Sequence, residues 1–219
     1  MRILCFGDSN TWGYVPGGNG ARYPAALRLA TRLDVHLSGQ ATVIEDGLRG
    51  RTTNIDDPEV AGRNGAQALP GLLARHAPLD VVVIMLGTND LKRQFARSAD
   101  TIAAGVGELL AIVAGTASLP TQTTRTGTAA SPMPLVVAPP LLANGAHSGH
   151  FDGRQADSLA LAPALARLAD RHGVRFVDGT KVTTCPNPDG VHLDAASIDR
   201  LARDLARAVI ATCTSPPTG

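Results

Sequence analysis

Aromatic residues are scarce in this chain and neither sign of charge is in clear excess, and each of these shortages excludes a class of partner. Aromatic side chains make up only 3% of the 219 residues, too few for the stacking platforms of proteins that bind single-stranded nucleic acid. Lysine and arginine number 20 and aspartate and glutamate 19, so the net charge is +1. A chain so evenly balanced gives no reason to expect nucleic acid or an anionic membrane as a partner.

Cysteine is scarce too, and its arrangement suits neither a disulfide framework nor a zinc site. Cysteine occurs only at Cys5, Cys185 and Cys213, an odd number without Cys-x-x-Cys spacing. No apolar run approaches the length of a transmembrane helix, about 18 residues. The first apolar run gives way to polar residues at Asp8, too early for a secretory signal peptide. We therefore expect a cytoplasmic protein that binds no metal and does not enter a membrane.

Three well-known motifs of catalysis and phosphate binding are also absent. The chain contains no Gly-x-Ser-x-Gly nucleophile elbow, no phosphate-binding loop and no dinucleotide-binding glycine fingerprint. The α/β-hydrolases and the common nucleotide-binding enzymes are therefore poor candidates.

The most informative stretch that is present lies near the start of the chain and reads RILCFGDSNTWG, from Arg2 to Gly13. Its apolar part, from Ile3 to Phe6, predicts a short buried strand. Asp8 and Ser9 follow at once and are typical of a helix cap or a turn. In open α/β sheets the carboxyl ends of the strands are where ligands bind. Ser9 is therefore either a simple helix cap or a functional residue at this edge.

Strands and helices alternate along the rest of the chain with short connections. This order predicts an α/β fold with a parallel sheet, helices on both faces and right-handed crossovers. We find no internal repeat and no second domain, and we expect surface loops over 117–131, 144–153 and 178–190. The predicted strands are 3–6, 41–45, 80–86, 135–138 and 174–177, and the predicted helices are 23–33, 65–76, 98–114, 154–172 and 194–212.

Four of the predicted strand ends are followed by loops that carry reactive or polar groups. These loops contain Ser9, the glycines of 47–50, Asn89 with Asp90, and the run from Asp189 to His192. In a parallel sheet all four would open on one edge. Each loop alone is typical of an ordinary turn, but their joint placement at successive strand ends is not explained by turns.

Together the four loops supply each part that acyl transfer requires. Ser9 is a candidate nucleophile and His192 a candidate base, because imidazole titrates near neutral pH. Asp189 lies three residues before His192, close enough for its carboxylate to orient the ring. The Asn89 side chain and the backbone N–H groups of Ser9 and Gly50 are candidate donors to an oxyanion.

The order of these blocks resembles that of the SGNH (GDSL-type) hydrolases. The stretches 2–9, 51–58 and 84–90 are similar to the bacterial arylesterase/acyltransferase branch of that family. The resemblance implies a three-layer α/β/α, flavodoxin-like fold with a central parallel sheet of about five strands. We accordingly expect a single domain over 1–214, followed by a flexible tail over 215–219.

The resemblance also implies an activity and its residues. Ser9, Asp189 and His192 would form the catalytic triad, and Ser9, Gly50 and Asn89 the oxyanion hole. The expected substrate is a small-molecule, short-chain acyl ester, cleaved without a cofactor, with water or an alcohol as the acyl acceptor. Homo-oligomers also occur in the similar branch.

The pocket is expected to involve four further residues near the nucleophile: Asp8, Asn10, Trp12 and Thr88. Trp12 would line the acyl side of the pocket, although a core aromatic is an equally good interpretation. Asn10 stands where the family usually has leucine. The loops 16–23 and 144–153 look shorter than in the arylesterase branch, and the threonine-rich segment 117–131 looks unlike it.

Two other functions stay open at this point. A metal-dependent phosphoesterase would use Asp8, Asn89 with Asp90, and the histidines His147 and His150, but the chain lacks the convergent histidines that a two-metal site needs. A non-catalytic module that binds esters or sugars on the same fold is the other alternative, and the presence of every triad residue type weighs against it.

Overall fold

The central element of the computed structural model is an all-parallel sheet of five strands in the order β2-β1-β3-β4-β5. The structure describes residues 1–118, 130–143, 149–182 and 189–214. Most of the threonine-rich segment predicted as a loop, and the tail predicted over 215–219, lie outside these residues. The strands are β1 (Arg2–Gly7), β2 (Thr42–Gly47), β3 (Val81–Met85), β4 (Met133–Ala138) and β5 (Arg175–Asp178).

Seven α-helices accompany this sheet in the described residues. They are α1 (Ser9–Trp12), α2 (Leu29–His36), α3 (Gly65–His76), α4 (Ala99–Ala114), α5 (Gln155–Arg171), α6 (Gly179–Val182) and α7 (Ala195–Thr214). Short 3-10 turns occupy Ala25–Leu27, Asn89–Leu91, Arg93–Phe95 and Gly115–Ser118. None of the described helices is long and apolar enough to cross a membrane.

Two apolar cores, one on each face of the sheet, hold the layers together. Because side chains alternate along a strand, Leu4 and Phe6 of β1 pack on one face with α3, α4 and α5. Ile3 and Cys5 face the other side with α2 and α7. Every residue of β3 is buried, as its unbroken apolar run predicts for a strand covered on both faces. The predicted three-layer α/β/α fold is confirmed.

The carboxyl ends of the middle strands lie side by side, and this places the functional loops. Gly7 at the end of β1 is in register with Gly47 of β2 and with Met85 of β3. The chain leaves β1 toward β2 on one side, and β3 lies on the other, so the direction of winding reverses at β1. A crevice at such a point is the usual ligand site of an open α/β sheet.

Two predictions differ from the structure by more than one or two residues at an end. The helix expected over 23–33 begins only at Leu29, because Arg28 is extended (φ −83°, ψ 155°), and Leu27 is 39% exposed in a separate 3-10 turn. The loop expected over 178–190 contains α6. This short helix starts where the Asp178 carboxylate accepts hydrogen bonds from the amide and hydroxyl of Thr180.

Candidate active site

Ser9 is the first residue of α1, and two glycines allow this short helix to lie against the sheet. A Cβ atom on Gly7 would lie 2.0 Å from the Thr11 hydroxyl oxygen, and one on Gly47 would lie 2.1 Å from the Trp12 backbone nitrogen. The Asp8 carboxylate caps the helix by accepting a 2.9 Å hydrogen bond from the Asn10 amide. Any larger side chain at either glycine would therefore push Ser9 away from the strand ends.

The structure brings Ser9, His192 and Asp189 into one hydrogen-bonded row. The His192 Nε2 lies 2.9 Å from the Ser9 Oγ, and the Nδ1 lies 2.9 Å from the Asp189 Oδ2. All three side chains are buried, with 6–7% of their surface exposed. This is the geometry of a nucleophile, a base and a carboxylate that orients the base.

The Asp189 carboxylate is held by four hydrogen bonds. Its Oδ1 accepts from the amides of Val191 and His192, and its Oδ2 accepts from the imidazole and from the Gly17 amide, at 2.9–3.0 Å. Burial raises the pKa of this carboxyl, but the hydrogen bonds outweigh burial and lower the pKa to about 2. An ionised Asp189 keeps the Nδ1 proton of His192, so the Nε2 atom is left to accept the proton of Ser9.

Tyr14 covers the face of the His192 ring, a contact that sequence reasoning missed. The two ring centroids are 4.1 Å apart, with 23° between the ring planes, and Tyr14 itself is only 8% exposed. The Tyr14 hydroxyl accepts a 3.0 Å hydrogen bond from the Gly20 amide. The loop after α1 thus holds the imidazole from above, while Gly17 of the same loop holds Asp189.

The three residues predicted to supply oxyanion donors, Ser9, Gly50 and Asn89, all line one cavity. Asn89 begins the turn after β3, and its side-chain amide donates one N–H to the Arg51 carbonyl at 3.1 Å. A second N–H on this amide is left for a ligand. Gly50 has a φ of +80°, a conformation that glycine adopts without strain.

A cavity of about 400 Å³ opens above these residues, a size suited to a small ligand. Its walls are mixed, with apolar side chains, the candidate catalytic residues and several cations. The lining residues are Ser9, Tyr14, Arg49, Gly50, Asp57, Val60, Arg63, Asn89, Lys92, His150, Phe151, Val191 and His192.

The chain matches the model of one known protein family over most of its length. The model of the GDSL-like lipase/acylhydrolase family matches residues 5–201. The chain belongs to this family. The resemblance to this family that the sequence analysis predicted is therefore confirmed. A separate comparison with curated proteins found no match.

Solved esterase structures resemble this GDSL-like chain over nearly its whole length. Est24, a carbohydrate acetylesterase from Sinorhizobium meliloti, is 39% identical with a TM-score of 0.88, over 96% of this chain and 99% of that chain. The native aryl esterase of M. smegmatis is 40% identical with a TM-score of 0.89, over the same shares of the two chains. A further carbohydrate acetylesterase family member from S. meliloti is 36% identical with a TM-score of 0.84, over 95% and 97%.

Contact with substrate stays a prediction for the four further residues near the nucleophile, and the structure gives each of them other neighbours. Asp8, Asn10, Trp12 and Thr88 are not among the residues that line the cavity. Asp8 and Thr88 are buried, and burial raises the pKa of Asp8 to about 6 despite the opposing Asn10 amide and Thr88 hydroxyl. The Trp12 ring lies under the Arg22 guanidinium, 4.8 Å from its centroid.

Asn10 instead joins α1 to the loop that carries His192. Its side-chain amide donates to the Val191 carbonyl at 3.3 Å, and its side-chain oxygen accepts from the Leu193 amide at 2.9 Å. These two bonds hold the backbone on both sides of His192. The pattern of the sequence could not show this, because the partners are more than 180 positions away.

A buried ion pair fixes the loop that carries Gly50 against the end of β3. The Asp90 side chain is fully buried, with its Oδ1 2.6 Å from the Arg97 Nη1. Asp90 also accepts hydrogen bonds from the backbone amide and the hydroxyl of Thr53. The sequence analysis did not predict a role for Arg97 or Thr53, although the Asn89-Asp90 pair indicated that the end of β3 belongs to the site.

A second arginine ties the ends of β1 and β2 together. The Arg51 Nη1 donates to the carbonyls of Gly7 and Asp46, at 2.9 Å and 2.6 Å, and the Nη2 donates to the Asp46 carboxylate at 2.7 Å. Arg51 therefore supports Gly50, its neighbour in the chain, and Asn89, which donates to its carbonyl.

The metal-binding alternative relied on acidic residues and two histidines. Within the part of the chain that the structure describes, no group of three or more His, Cys, Asp or Glu side chains is placed to hold a metal ion. His150 lines the cavity, and His147 lies outside the described residues.

Proposed function

We propose that this protein is a serine esterase that cleaves short-chain acyl esters through an acyl-enzyme on Ser9. The observation that carries the proposal is the row of two 2.9 Å contacts from Ser9 to His192 to Asp189, in a cavity bordered by Gly50 and Asn89. Similarity to a carbohydrate acetylesterase and an aryl esterase supports acetyl and aryl esters as the first substrates to test.

The first half-reaction transfers the acyl group to the enzyme. The Ser9 oxygen attacks the ester carbonyl as its proton moves to the His192 Nε2, and Asp189 stabilises the imidazolium that forms. The carbonyl oxygen becomes an oxyanion, which the Asn89 side chain and the Ser9 and Gly50 amides would bind. The bond to the leaving oxygen then breaks, and that oxygen takes the proton from His192.

The second half-reaction repeats these steps with a new nucleophile. Water gives its proton to His192 and attacks the acyl-enzyme, so a carboxylic acid leaves and Ser9 recovers its proton. An alcohol can take the place of water and would yield a new ester. We propose that both acceptors react, and the ratio of acid to ester formed at increasing ethanol concentrations measures the balance.

The test of the function is hydrolysis of p-nitrophenyl acetate and p-nitrophenyl octanoate, in EDTA, by wild type and by Ser9→Ala. We expect wild type to prefer the acetate, because the acyl half and the alcohol half of the ester must both fit in a cavity of about 400 Å³, which leaves little room for an octanoyl chain. The variant should lose all turnover while keeping the circular dichroism spectrum of the wild type. Retained turnover in the variant would contradict the proposal. Wild-type turnover that is present without EDTA and lost with EDTA would favour the metal-dependent alternative.

A serine-directed phosphonate separates an esterase from a binding module. The phosphonate should attach to the peptide that contains Ser9, as mass spectrometry would show, and should not label His192→Ala at a comparable rate. A chain that neither reacts with the phosphonate nor hydrolyses either ester would be a binding module. Assembly into homo-oligomers stays a prediction from the resemblance, which light scattering of the purified protein would test.

A further inference from the structure

The cavity above Ser9 carries more positive than negative charge. Its lining includes the side chains of Arg49, Arg63 and Lys92, and one carboxylate, that of Asp57. A neutral acetyl ester has no charge to pair with these cations, and the reaction proposed at Ser9 does not require them. Their presence is the feature of the site that the proposed function leaves unexplained.

The single carboxylate is already fully engaged by neighbours other than the arginines. Asp57 is 6% exposed, and its Oδ2 lies 3.2 Å from the Lys92 Nζ. Its Oδ1 accepts from the Gln94 side chain at 3.2 Å and from the Glu59 amide at 3.0 Å. Lys92 and Asp57 therefore neutralise each other, and the net charge of the lining comes from the two arginines.

Arg63 lies beside the candidate oxyanion hole. A Cβ atom on Gly50 would be 3.3 Å from the Arg63 Nε, so the guanidinium lies alongside Gly50. The Arg63 Nη1 makes one long hydrogen bond, 3.4 Å, to the Ala61 carbonyl. Among the described residues, the other N–H groups of this guanidinium are available to a ligand.

Arg49 also lines the cavity and lies over the rings of Tyr14, which stacks on His192, and of Trp12. Its guanidinium carbon is 5.0 Å from the centroid of Tyr14 and 5.5 Å from that of Trp12. Stacking of this kind holds a guanidinium in place through its face and leaves its edge N–H groups for an anion.

Neither arginine has a carboxylate partner in the part of the chain that the structure describes. The ion pairs within 4.0 Å there involve other residues. No aspartate or glutamate occurs in the ranges that the structure does not describe, which are 119–129, 144–148, 183–188 and 215–219. Two cations that line the same cavity and have no carboxylate within 4.0 Å among the described residues attract an anionic ligand.

Resting on the proposed esterase function, we propose that this cavity selects esters that carry a carboxylate, bound by Arg49 and Arg63. A guanidinium donates two parallel hydrogen bonds to a carboxylate, which fixes both position and orientation. The carboxylate belongs either to the alcohol half or to the acyl half of the ester. The experiment below separates these two sources.

The test compares each carboxylate ester with its uncharged methyl ester. For the alcohol half the pair is 4-acetoxybenzoate and methyl 4-acetoxybenzoate. For the acyl half it is the mono-p-nitrophenyl ester of adipic acid and its methyl ester. The measured quantity is the ratio of kcat/KM for the charged member to that for the neutral one. Comparing this ratio between enzymes cancels the intrinsic reactivity of each ester.

The variants are Arg49→Gln, Arg63→Gln and the double variant, and the control is Arg75→Gln. Arg75 is exposed in the last turn of α3, at the opposite edge of the sheet, so its replacement makes the same change of charge away from the cavity. We expect the double variant to lower the ratio roughly tenfold or more in one of the two pairs, the effect of losing a charge-assisted hydrogen bond. Arg75→Gln should leave the ratio and the activity as they are.

A ratio that is the same in wild type and in the double variant, for both pairs, would overturn the inference and leave the esterase proposal intact. The absence of Ser9-dependent turnover of all four esters would overturn the esterase proposal itself. If the double variant does not fold, the salt dependence of turnover by the wild type tests the inference instead. Turnover of the charged ester should then fall as NaCl rises from 0.05 to about 1 M, because screening shortens the range of the attraction, and turnover of the neutral ester should not.

Discussion

Replacing Asp189 with asparagine tests the proposed catalytic role of Ser9, His192 and Asp189 most sharply, because the structure shows what each orientation of the new amide would meet. If its NH₂ group takes the place of Oδ1, it faces the amides of Val191 and His192, two donors. If it takes the place of Oδ2, it faces the Gly17 amide and the imidazole. The second orientation leaves fewer conflicts between donors, since the imidazole can move its proton and accept.

That shift of the proton is the expected cause of inactivity in Asp189→Asn. With Nδ1 as the acceptor, Nε2 carries the proton and can no longer take one from Ser9. We expect kcat/KM to fall roughly 10⁴-fold, the effect of leaving a triad histidine in the wrong tautomer, which corresponds to about 5 kcal/mol of transition-state stabilisation. Hydrolysis of p-nitrophenyl acetate measures it.

The matched control is Asp199→Asn. Asp199 also accepts from a histidine, since its Oδ1 lies 2.9 Å from the His36 Nε2, but on the surface between α2 and α7. The control should keep the activity of the wild type. A loss smaller than about tenfold in Asp189→Asn would show that another group orients the imidazole, and would refute the reasoning from tautomers.

Stability against acid gives an independent check on the same carboxylate. The pKa of Asp189 in the folded protein, about 2, is lower than the ordinary value near 3.9. Its stabilisation of the fold is therefore complete above about pH 5 and is lost as the pH falls toward 2, and it amounts to about 2 to 3 kcal/mol. The difference in free energy of unfolding between wild type and Asp189→Asn should accordingly narrow below about pH 5.

Three further outcomes follow from the same contacts. Tyr14→Leu removes the ring stacked on His192 and should lower kcat about tenfold, whereas Tyr14→Phe keeps the ring and should lose much less. Gly47→Ala places a methyl group 2.1 Å from the Trp12 nitrogen and should destabilise the protein by about 1–3 kcal/mol in urea unfolding, while Gly71→Ala, whose Cβ meets nothing within 4 Å in α3, should not destabilise it. The rate should fall as the pH is lowered from about 8 to 5, because a protonated His192 cannot act as a base, and a flat profile would exclude it from that role.

The sequence predicted best those features that depend on residues close together in the chain. The apolar run that ends at Gly7 indicated a central strand with Ser9 at its end, and the three-residue spacing from Asp189 to His192 allowed the carboxylate to reach the ring. The five strands and their common functional edge followed from the alternation of apolar runs and glycine-containing loops.

The features that the sequence could not show depend on three-dimensional contacts or on backbone conformations that no local pattern of residues reveals. The stacking of Tyr14 on His192 exists only once the loop after α1 has folded over the end of the sheet. Nothing local marks Arg97 as the partner of Asp90. The start of α2 at Leu29 depends on the extended backbone of Arg28, which a helical pattern of leucines does not reveal.

Asn10 is the residue in which this chain departs from the leucine usual beside the nucleophile, and its contacts predict what restoring leucine would do. Asn10→Leu would leave the Val191 carbonyl and the Leu193 amide buried without their side-chain partner. Each orphaned group costs about 1–3 kcal/mol, so we expect a lower free energy of unfolding. Because both groups flank His192, we also expect kcat to fall with KM little changed.

Asn10→Asp provides the comparison that separates support of His192 from simple packing. Aspartate has the same shape and keeps an oxygen for the Leu193 amide, but it sets a second, negatively charged oxygen against the Val191 carbonyl, so one of the two hydrogen bonds is kept and the other is lost. If Asn10 acts by holding the backbone around His192, the kcat of Asn10→Asp should lie between those of wild type and Asn10→Leu. Equal kcat in wild type and Asn10→Leu, despite a measurable loss of stability, would show that the two hydrogen bonds stabilise the fold without positioning the base.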